Sequence, residues 1–393
     1  MTEIKGKELI TKASAVVRVA ESIRRKGIVG VDTEFIREST FFPKMALIQA
    51  ATDDEAWLLD PTVLSHADLQ PLFDCLVDPA ILKVMHAAHS DQECFFSAYG
   101  FLAEPVLDTA VAAALTGMGD NLGLSRLMKD LLNVHLPKGR ARARWLTRPL
   151  APELLDYAEK DVLHLIALNE KLRARLEAKG RWDWALEESR ANRALLELTP
   201  DDMAQKMAKS GHLDGSSYGA LLELFRWREE RARSADLPRS WVCDNETLVA
   251  LAKSKPKSLD ELRHFRGLNH KEVDRQGNVI LAAIERGKQG ERPDWQRSSR
   301  SYEKSEGEEH VLDLLQSYVA YLAAKHEIAT RFLLSSSRAP LVLVHSDKSP
   351  EQWVQEGILS RNASALIGED LKALLEGKRG LAIKDRAVEV ISL

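Results

Sequence analysis

The stretch "GIVGVDTEFIRE" at residues 27–38 begins as a buried strand and then places two acids in its apolar pattern. A β-branched run from Ile28 to Val31 comes first, and Asp32 and Glu34 follow it. Because side chains on a strand alternate between its faces, the two carboxylates point the same way and lie side by side. Two like charges next to a core are unfavourable, so this face needs a cationic partner. The alternative is a strand end that reaches solvent and carries two ordinary surface acids.

Composition is that of an ordinary globular protein. The chain has 393 residues, 45% of them hydrophobic and 29% charged. Its formal net charge of −4 restricts any nucleic-acid surface to a local basic patch. The three cysteines lack C-x-x-C spacing, which argues against a disulfide framework or a zinc knuckle and favours a cytoplasmic location. No apolar run approaches the roughly 18 residues of a membrane span, and the first residues lack a signal-peptide core, so we expect neither secretion nor a membrane span.

Strand and helix patterns are mixed in the first half of the chain. Strands are predicted at 27–38, 45–51, 55–60 and 81–87. Helices are predicted at 14–26 with Ser14 as N-cap, at 69–77, 91–100, 109–117 and 122–132, and as one long helix at 152–179. This order predicts an α/β domain, with a mixed sheet flanked by helices.

Strand patterns nearly disappear after about residue 200. Amphipathic helices are predicted at 216–236, at 258–265, which begins with a Ser258-x-x-Glu261 capping box, and at 273–287. The polar stretch 287–309 has the composition of a linker, and a second helical unit begins near residue 310. We therefore expect two all-α units after the α/β domain.

Further acids lie where they can join Asp32 and Glu34. Asp91 follows an apolar strand and precedes a helix, where it is either a ligand at the sheet edge or the N-cap of that helix. Tyr157 and Asp161 are four residues apart on an apolar helix face, where a carboxylate and a phenol need partners. Four carboxylates and a phenol make the oxygen-rich site that hard divalent cations prefer, and two such ions about 3.5–4 Å apart promote phosphodiester hydrolysis.

The motifs Asp32-x-Glu34, Asp91 and Tyr157-x-x-x-Asp161, in this order, resemble the tyrosine-bearing branch of the DEDD superfamily of 3′→5′ exonucleases. The flanks "VDTEFIRESTFFPKMALIQAA", "HAAHSDQECF", "LDTAVAAAL" and "WLTRPLAPELLDYAEKDVLHL" are similar to the bacterial ribonuclease D family over residues 14 to about 190. The resemblance implies a ribonuclease H-like fold, two Mg²⁺ or Mn²⁺ ions and release of 5′-nucleoside monophosphates from RNA with a free 3′ end.

The resemblance also implies the role of each residue. Asp32 bridges both ions, Glu34 and Asp161 complete one ion site, and Asp91 supports the other. Tyr157 orients the attacking water. The implied substrates are structured RNAs, tRNA precursors among them, and the expected function is 3′→5′ exoribonuclease. A catalytically inactive RNA-binding scaffold and a DNA-directed exonuclease are the alternatives.

The helical part is similar to HRDC domains, which bind nucleic acids and also occur in RecQ-type helicases. Trp227-Arg228, Pro238 and Gly267 carry the resemblance in the first unit, and "GEDLKALLEGKRG" carries it in the second. The sequence thus predicts an exonuclease domain at 1–200, a first HRDC domain at 210–292 and a second HRDC-like domain at 307–393. No G-x-x-x-x-G-K-[ST] motif occurs, so we expect neither helicase activity nor a nucleotide cofactor.

A basic loop, "LPKGRARARWLTRPL", precedes the tyrosine helix. Where ribonuclease D typically has an acid before the tryptophan, this chain has Arg144. The loop either contacts RNA phosphates near the catalytic residues or is simply solvated. The predicted phosphate contacts are Lys138, Arg140, Arg142, Arg144 and Arg148.

Several other residues have both a functional and a structural interpretation. His86 and His89 precede Asp91, and together the three residues could bind zinc as in a metallohydrolase. They lack the H-x-H-x-D-H spacing of that class, and residues three apart on a strand face opposite sides, which argues against a zinc site. Asp108 is expected to cap a helix, and Gln49 to be a satisfied amide at a sheet edge rather than a nucleotide contact. Phe35 and Phe42 either stack on a terminal base or pack in the core.

Overall fold

The computed structural model describes residues 8–37, 39–137, 139, 143–194, 198–211, 213–289 and 308–393. Within these residues, no helix is both long enough and apolar enough to cross a lipid bilayer.

A six-stranded mixed sheet organises the first part of the chain. Its strands, in chain order, are β1 (Leu9–Ile10), β2 (Ile28–Ile36), β3 (Lys44–Ala51), β4 (Ala56–Leu59), β5 (Leu82–Met85) and β6 (Val106–Asp108). Their spatial order is β1-β4-β3-β2-β5-β6. Strand β2 is antiparallel to β3 and parallel to β5, so the strand of the two acids lies in the interior of the sheet.

Eight helices accompany the sheet in this part of the described chain. They are α1 (Ala13–Lys26), α2 (His66–Val77), α3 (His89–Tyr99), α4 (Thr109–Leu115), α5 (Leu124–Leu132), α6 (Pro152–Leu163), α7 (Leu165–Ala178) and α8 (Trp182–Ala194). Helices α1 to α3 contribute to the core on one face of the sheet, while α4, α5, α7 and α8 contribute to the core on the other. The predicted mixed sheet flanked by helices is confirmed.

Most predicted elements occur within a few residues of their expected ends, with three differences. Strands β1 and β6 have only two and three residues, too few for a recognisable apolar pattern. The expected long helix at 152–179 is interrupted at His164, which separates α6 from α7. Helix α1 is preceded by Lys12 as N-cap, without a side-chain cap bond, so the prediction of Ser14 as cap is wrong.

The next helices pack around a separate core. They are α9 (Pro200–Gly211), α10 (Gly215–Ala235), α11 (Arg239–Val242), α12 (Asn245–Ser254), α13 (Leu259–Arg263) and α14 (His270–Gly287). Ser258 caps α13 by accepting a hydrogen bond from the Glu261 N–H, but the Glu261 carboxylate accepts from the Lys257 N–H instead of that of Ser258, so only half of the predicted capping box forms. Most of the predicted linker lies outside the described residues.

The last part contains helices and one β-hairpin. Its elements are α15 (Glu308–Lys325), a 3-10 turn (Thr330–Phe332), α16 (Ala339–Val344), α17 (Pro350–Gln355), α18 (Arg361–Leu375), β7 (Arg379–Lys384) and β8 (Ala387–Ser392). The antiparallel β7–β8 pair corrects the expectation of an all-α unit. Alternation in "AVEVIS" fits a strand, and Asp385 and Arg386 both adopt positive φ at the turn between β7 and β8.

This C-terminal part shares its core with the sheet domain. One buried cluster contains Val84 and Leu168 of the sheet domain together with Tyr318 and Trp353. The buried Arg181 donates to the Leu115 carbonyl at 2.8 Å and to two carbonyls after α15. These contacts join the C-terminal helices to the domain that holds the sheet.

The first helical unit contacts the loop between β2 and β3. The backbone N–H groups of Phe41 and Phe42 donate to Asp236 Oδ1 at 3.0 and 3.1 Å. The Phe41 ring is 5% exposed and lies under the guanidinium groups of Arg233 and Arg239. Each of the two helical units therefore packs on the sheet domain through its own set of contacts.

Candidate active site

Strand β2 presents Asp32 and Glu34 on one face of the sheet. On the other face, Val29 and Val31 are almost fully buried in the core with α1 and α2. This burial fixes the register of the strand, because a shift by one residue would place the acids in the core. The strand therefore holds the backbone of these two acids in place on the face that α6 covers.

A β-bulge follows Glu34. Glu34 pairs with Leu47 and Phe35 with Met45, which leaves Ala46 as the extra residue on β3. The Ala46 carbonyl accepts a hydrogen bond from Arg148 Nη2 at 2.7 Å. Bulges bend a strand locally and occur next to active sites, so this one sets the direction of the sheet beside Glu34.

Arg148 holds its loop against the sheet. Its guanidinium pairs with both oxygens of Asp60, at 2.6 and 2.7 Å, and also donates to the carbonyls of Trp145, Thr147 and Ala46. All five of its N–H groups therefore have partners within the protein. The half-buried ion pair with Asp60 occupies the donors that a phosphate would need, which argues against the predicted contact of Arg148 with RNA phosphate.

Asp91 lies in the first turn of α3 and connects this helix to β2. Its Oδ1 accepts hydrogen bonds from the Thr33 backbone N–H at 3.0 Å and from the Thr33 hydroxyl at 2.5 Å. The N-cap of α3 is Ala88, so the alternative that Asp91 caps the helix is wrong. The Thr33 contact brings Asp91 next to the strand of Asp32 and Glu34.

Helix α6 brings Tyr157 and Asp161 to the same face of the sheet. Asp161 is 8% exposed, and the Tyr157 hydroxyl bonds to it. Gly30 permits this approach: a Cβ there would lie 2.9 Å from Leu165 Cβ and 3.3 Å from the Val162 carbonyl oxygen. The structure thus brings together all five residues that the sequence singles out.

The carboxylates of this cluster resist ionisation. Burial raises the pKa of Asp32 to about 6. Burial raises the pKa of Glu34 to about 9, and the neighbouring carboxylates, Asp32 first, add to the shift. Burial and then Asp32 raise the pKa of Asp161 to about 7, and the same two causes raise the pKa of Asp91 well above its usual range. The cluster therefore retains protons at neutral pH, and a bound cation would displace them because it stabilises the ionised carboxylates.

Two members of the predicted basic loop can be located. Arg144 is exposed, and Arg148 is bound to Asp60 as described above. The other three, Lys138, Arg140 and Arg142, lie outside the described residues. A phosphate contact thus stays a prediction for Arg144 and for these three.

Several residues near the site have contacts that favour a structural role. His86 Nδ1 bonds to the Thr109 hydroxyl at 2.8 Å, which is a structural contact. Asp108 caps α4 by accepting from the Ala110 N–H, as predicted. Phe35 and Phe42 are partly buried against separate cores, which favours the packing interpretation.

Gln49 differs from its prediction. It lies on β3, an interior strand of the sheet, and its side chain is completely buried. Neither atom of its amide has a hydrogen-bond partner, so the expected satisfied amide at a sheet edge is wrong. Thr33, which binds Asp91, was not predicted as a site residue. The only hint of it in the sequence is the position of its hydroxyl between the two acids of "DTE".

Comparison with known proteins finds relatives along nearly the whole chain. A family model described as 3′-5′ exonuclease matches residues 8–177, and an HRDC domain model matches residues 219–284. The ribonuclease D of Xanthomonas oryzae pv. oryzae is 34% identical over 359 residues, which cover 90% of this chain and 92% of that protein. The ribonuclease D of Granulibacter bethesdensis is 30% identical and covers 98% of this chain and 96% of its own.

A solved structure is similar over the same extent. Escherichia coli RNase D, described as an exoribonuclease involved in structured RNA processing, is 28% identical with a TM-score of 0.78. The match covers 94% of this chain and 98% of that chain. The similarity therefore includes both the sheet domain and the helical units that follow it.

Proposed function

This chain belongs to the ribonuclease D family and is a 3′-5′ exoribonuclease, and from this premise we propose that five residues form its active site. They are Asp32, Glu34, Asp91, Tyr157 and Asp161. The observation that carries the proposal is that four carboxylates from β2, α3 and α6 lie together beside the sheet. Burial raises the pKa of each of them. Such clusters of perturbed acids are typical of functional sites rather than of a structural core.

The cluster has the chemistry of a site for divalent cations, on which this exonuclease family depends. We propose Asp32 as ligand of two ions, Mg²⁺ or Mn²⁺, with Glu34 and Asp161 at one and Asp91 at the other. Among the described residues, no three acid, imidazole or thiol side chains are close enough to hold an ion as they stand. We therefore expect rotation of these carboxylates on binding.

The reaction is hydrolysis of the 3′-terminal phosphodiester bond. Water attacks phosphorus, the bond to the preceding O3′ breaks, and a 5′-nucleoside monophosphate leaves. When bound, the two ions would stabilise charge on the attacking and leaving oxygens. Burial raises the pKa of Tyr157 well above its usual range, so its hydroxyl stays protonated, donates to Asp161 and can accept a hydrogen bond from the attacking water.

The substrate is RNA. We propose structured RNAs with a free 3′ end, tRNA precursors in particular, since the Escherichia coli relative is described as acting in structured RNA processing. The exposed Arg144 and the neighbouring Lys138, Arg140 and Arg142 would contact its phosphates. The cytoplasm is the proposed location, because Cys75, Cys94 and Cys243 are all buried free thiols.

We also propose the domain division that the sequence predicts: exonuclease at 1–200, first HRDC at 210–292 and second HRDC-like domain at 307–393. The separate core of the first helical unit and the HRDC match at 219–284 support the middle domain. Helix α9 contributes Ala204 and Ala208 to the same core, so the first helical unit also includes residues before 210, which the sequence-based boundary leaves out.

The test uses matched 5′-labelled RNA and DNA oligomers, each with Mg²⁺, Mn²⁺ or EDTA. We expect stepwise shortening of RNA from its 3′ end and none in EDTA. Asp32→Asn and Asp161→Asn should lower kcat by about 10³-fold, roughly 4 kcal/mol, and Tyr157→Phe by less. The control Asp156→Asn, on the same helix and paired with Lys160, should leave kcat unchanged.

Three outcomes would contradict parts of this proposal. Asp32→Asn activity near that of the unmodified protein would remove the site assignment. Preferential shortening of the DNA oligomer would favour the DNA-directed alternative. RNA binding without shortening, with any metal, would favour the inactive scaffold.

A further inference from the structure

Gln49 lies directly opposite Asp32 in the sheet. The two residues are register partners on β2 and β3, ahead of the bulge that follows Glu34. Residues opposite each other in an antiparallel pair point to the same face, with Cβ atoms about 4.5–5.5 Å apart. The Gln49 amide therefore lies on the face that carries Asp32 and that α6 covers.

The Gln49 amide is completely buried and unpaired. Both Nε2 and Oε1 lack a hydrogen-bond partner, and among the described residues Gln49 alone has two such orphaned side-chain atoms. A buried amide without partners is unfavourable, and Met would fill the same space without this penalty. The neighbours of Gln49 on this face of β3, Leu47 and Ala51, are apolar. A polar side chain at this position therefore needs a partner that forms in another state of the site.

Asp32 is the partner that the register offers. Its carboxylate lies among three other acids, and the Thr33 N–H next to it in the chain donates to Asp91, so Asp32 keeps acceptor capacity for a further hydrogen bond. A neutral N–H donor can fix the orientation of a ligand carboxylate without competing for the cation.

We propose that Gln49 is a positioning residue, whose amide donates a hydrogen bond to Asp32 and holds this carboxylate in the orientation that binds metal. The proposal rests on the assignment of Asp32 to the active site. The bond forms when Asp32 rotates toward a bound cation, since the amide and the carboxylate are on the same face. Gln49 itself touches neither the metal nor the RNA.

The test compares Gln49→Met with a second buried glutamine. Gln92 is 5% exposed, and its amide bonds to both the carbonyl and the N–H of Ala103, at 2.9 and 2.8 Å. Three quantities are measured on the full chain: the Tm in EDTA, the Mn²⁺ affinity by isothermal titration calorimetry, and kcat on an RNA oligomer. We expect Gln49→Met to raise Tm by about 2–4 °C while Mn²⁺ affinity and kcat fall about 10-fold. Gln92→Met should lower Tm and leave Mn²⁺ affinity unchanged.

A purely structural role of Gln49 would give the opposite pattern. If Gln49→Met lowered Tm, or kept the Mn²⁺ affinity of the unmodified protein, the inference would be overturned. Asp32→Asn is titrated in parallel to separate this result from a failure of the site itself. If Asp32→Asn also binds Mn²⁺ normally, the assignment of Asp32 fails; if only Gln49→Met does, the positioning role alone fails.

Discussion

Glu34 makes the metal-free protein sensitive to pH. Burial, reinforced by Asp32 and the other acids, raises its pKa to about 9 in the folded chain, against about 4.3 in an unfolded one. Between these values the folded protein keeps a proton that the unfolded chain releases. Stability in EDTA therefore falls as pH rises through this window, and it is highest at the acidic side.

Glu34→Gln removes this carboxylate without changing its shape. In EDTA at pH 8, we expect the variant to be more stable than the unmodified protein by at least about 1 kcal/mol, and its Tm to depend less on pH. Differential scanning calorimetry from pH 5 to pH 9 measures both effects. Mn²⁺ should raise the Tm of the unmodified protein more at pH 8 than at pH 6, and that of the variant much less.

The control for this measurement is Glu170→Gln, at an exposed position of α7. It should reproduce the pH dependence of the unmodified protein. A Glu34→Gln protein that is less stable than the control at pH 8 in EDTA would mean that Glu34 is a satisfied structural acid and not a member of a strained cluster.

Arg144 and Arg148 belong to one loop but have different expected roles. Arg148→Met leaves Asp60, whose side chain is 1% exposed, without its cationic partner, so we expect a loss of about 3 kcal/mol in the free energy of unfolding. Arg144→Met should leave stability unchanged. It should instead weaken RNA binding and reduce the slope of log K against log[salt] by about 0.7.

Urea unfolding and RNA binding at several salt concentrations separate the two roles. The opposite result, unchanged stability and a reduced salt slope for Arg148→Met, would restore Arg148 as a phosphate contact.

For single residues, the sequence predicts the candidates for the site but not all of their contacts. The five acidic and phenolic residues are visible as local motifs, whereas the partners of Thr33 and Arg148 are 58 and 88 residues away.

At the scale of elements, the sequence predicts a strand or helix when the element is long enough for its apolar pattern to repeat. Strand β2 has nine residues with a β-branched run, and α10 has 21 residues with an amphipathic face, so both were predictable. Strand β1 has only two residues and exists because it pairs with β4. The break at His164 lies where the helix passes over Gly30, a contact between distant parts of the chain. Contacts between distant parts of the chain cannot be predicted from the pattern of any single stretch of sequence.

The loop between β2 and β3 depends on the end of α10. Asp236 has a φ of 50° and accepts both loop N–H groups through one oxygen. Asp236→Gly keeps this backbone conformation but removes the acceptor, whereas Asp236→Asn keeps an oxygen acceptor and also tolerates the positive φ. We expect faster hydrogen exchange at Phe41 and Phe42 in Asp236→Gly, and little change in Asp236→Asn.

Exchange is measured by mass spectrometry on peptides that cover residues 39–42. The expected loss, about 1–3 kcal/mol of local protection, corresponds to an exchange rate raised by at least fivefold. Equal protection in the two variants would mean that the Arg233 and Arg239 contacts with the Phe41 ring hold the loop without Asp236.

At the scale of the whole molecule, the two helical units are attached differently. The first has a core of its own, to which the sheet domain contributes Phe41. The second shares one continuous buried cluster with the sheet domain, and Arg181 bonds across the junction. The resemblance to HRDC domains predicts two similar modules in tandem, and the apolar pattern of the sequence shows which helix faces are buried but not what covers them.

This difference predicts the result of shortening the chain. A chain that ends at residue 292 leaves the apolar surfaces that Tyr318 and Trp353 cover exposed, so we expect a lower Tm and aggregation. Exonuclease activity should fall to a similar extent on a short single-stranded RNA and on a structured RNA, because folding is affected. Arg181→Met tests the junction in the full chain and should reduce the free energy of unfolding by at least about 2 kcal/mol. If the shortened chain instead kept its Tm and its activity on the short RNA, and lost activity only on the structured RNA, the C-terminal unit would be a separate RNA-binding module, and the shared cluster would contribute little to stability.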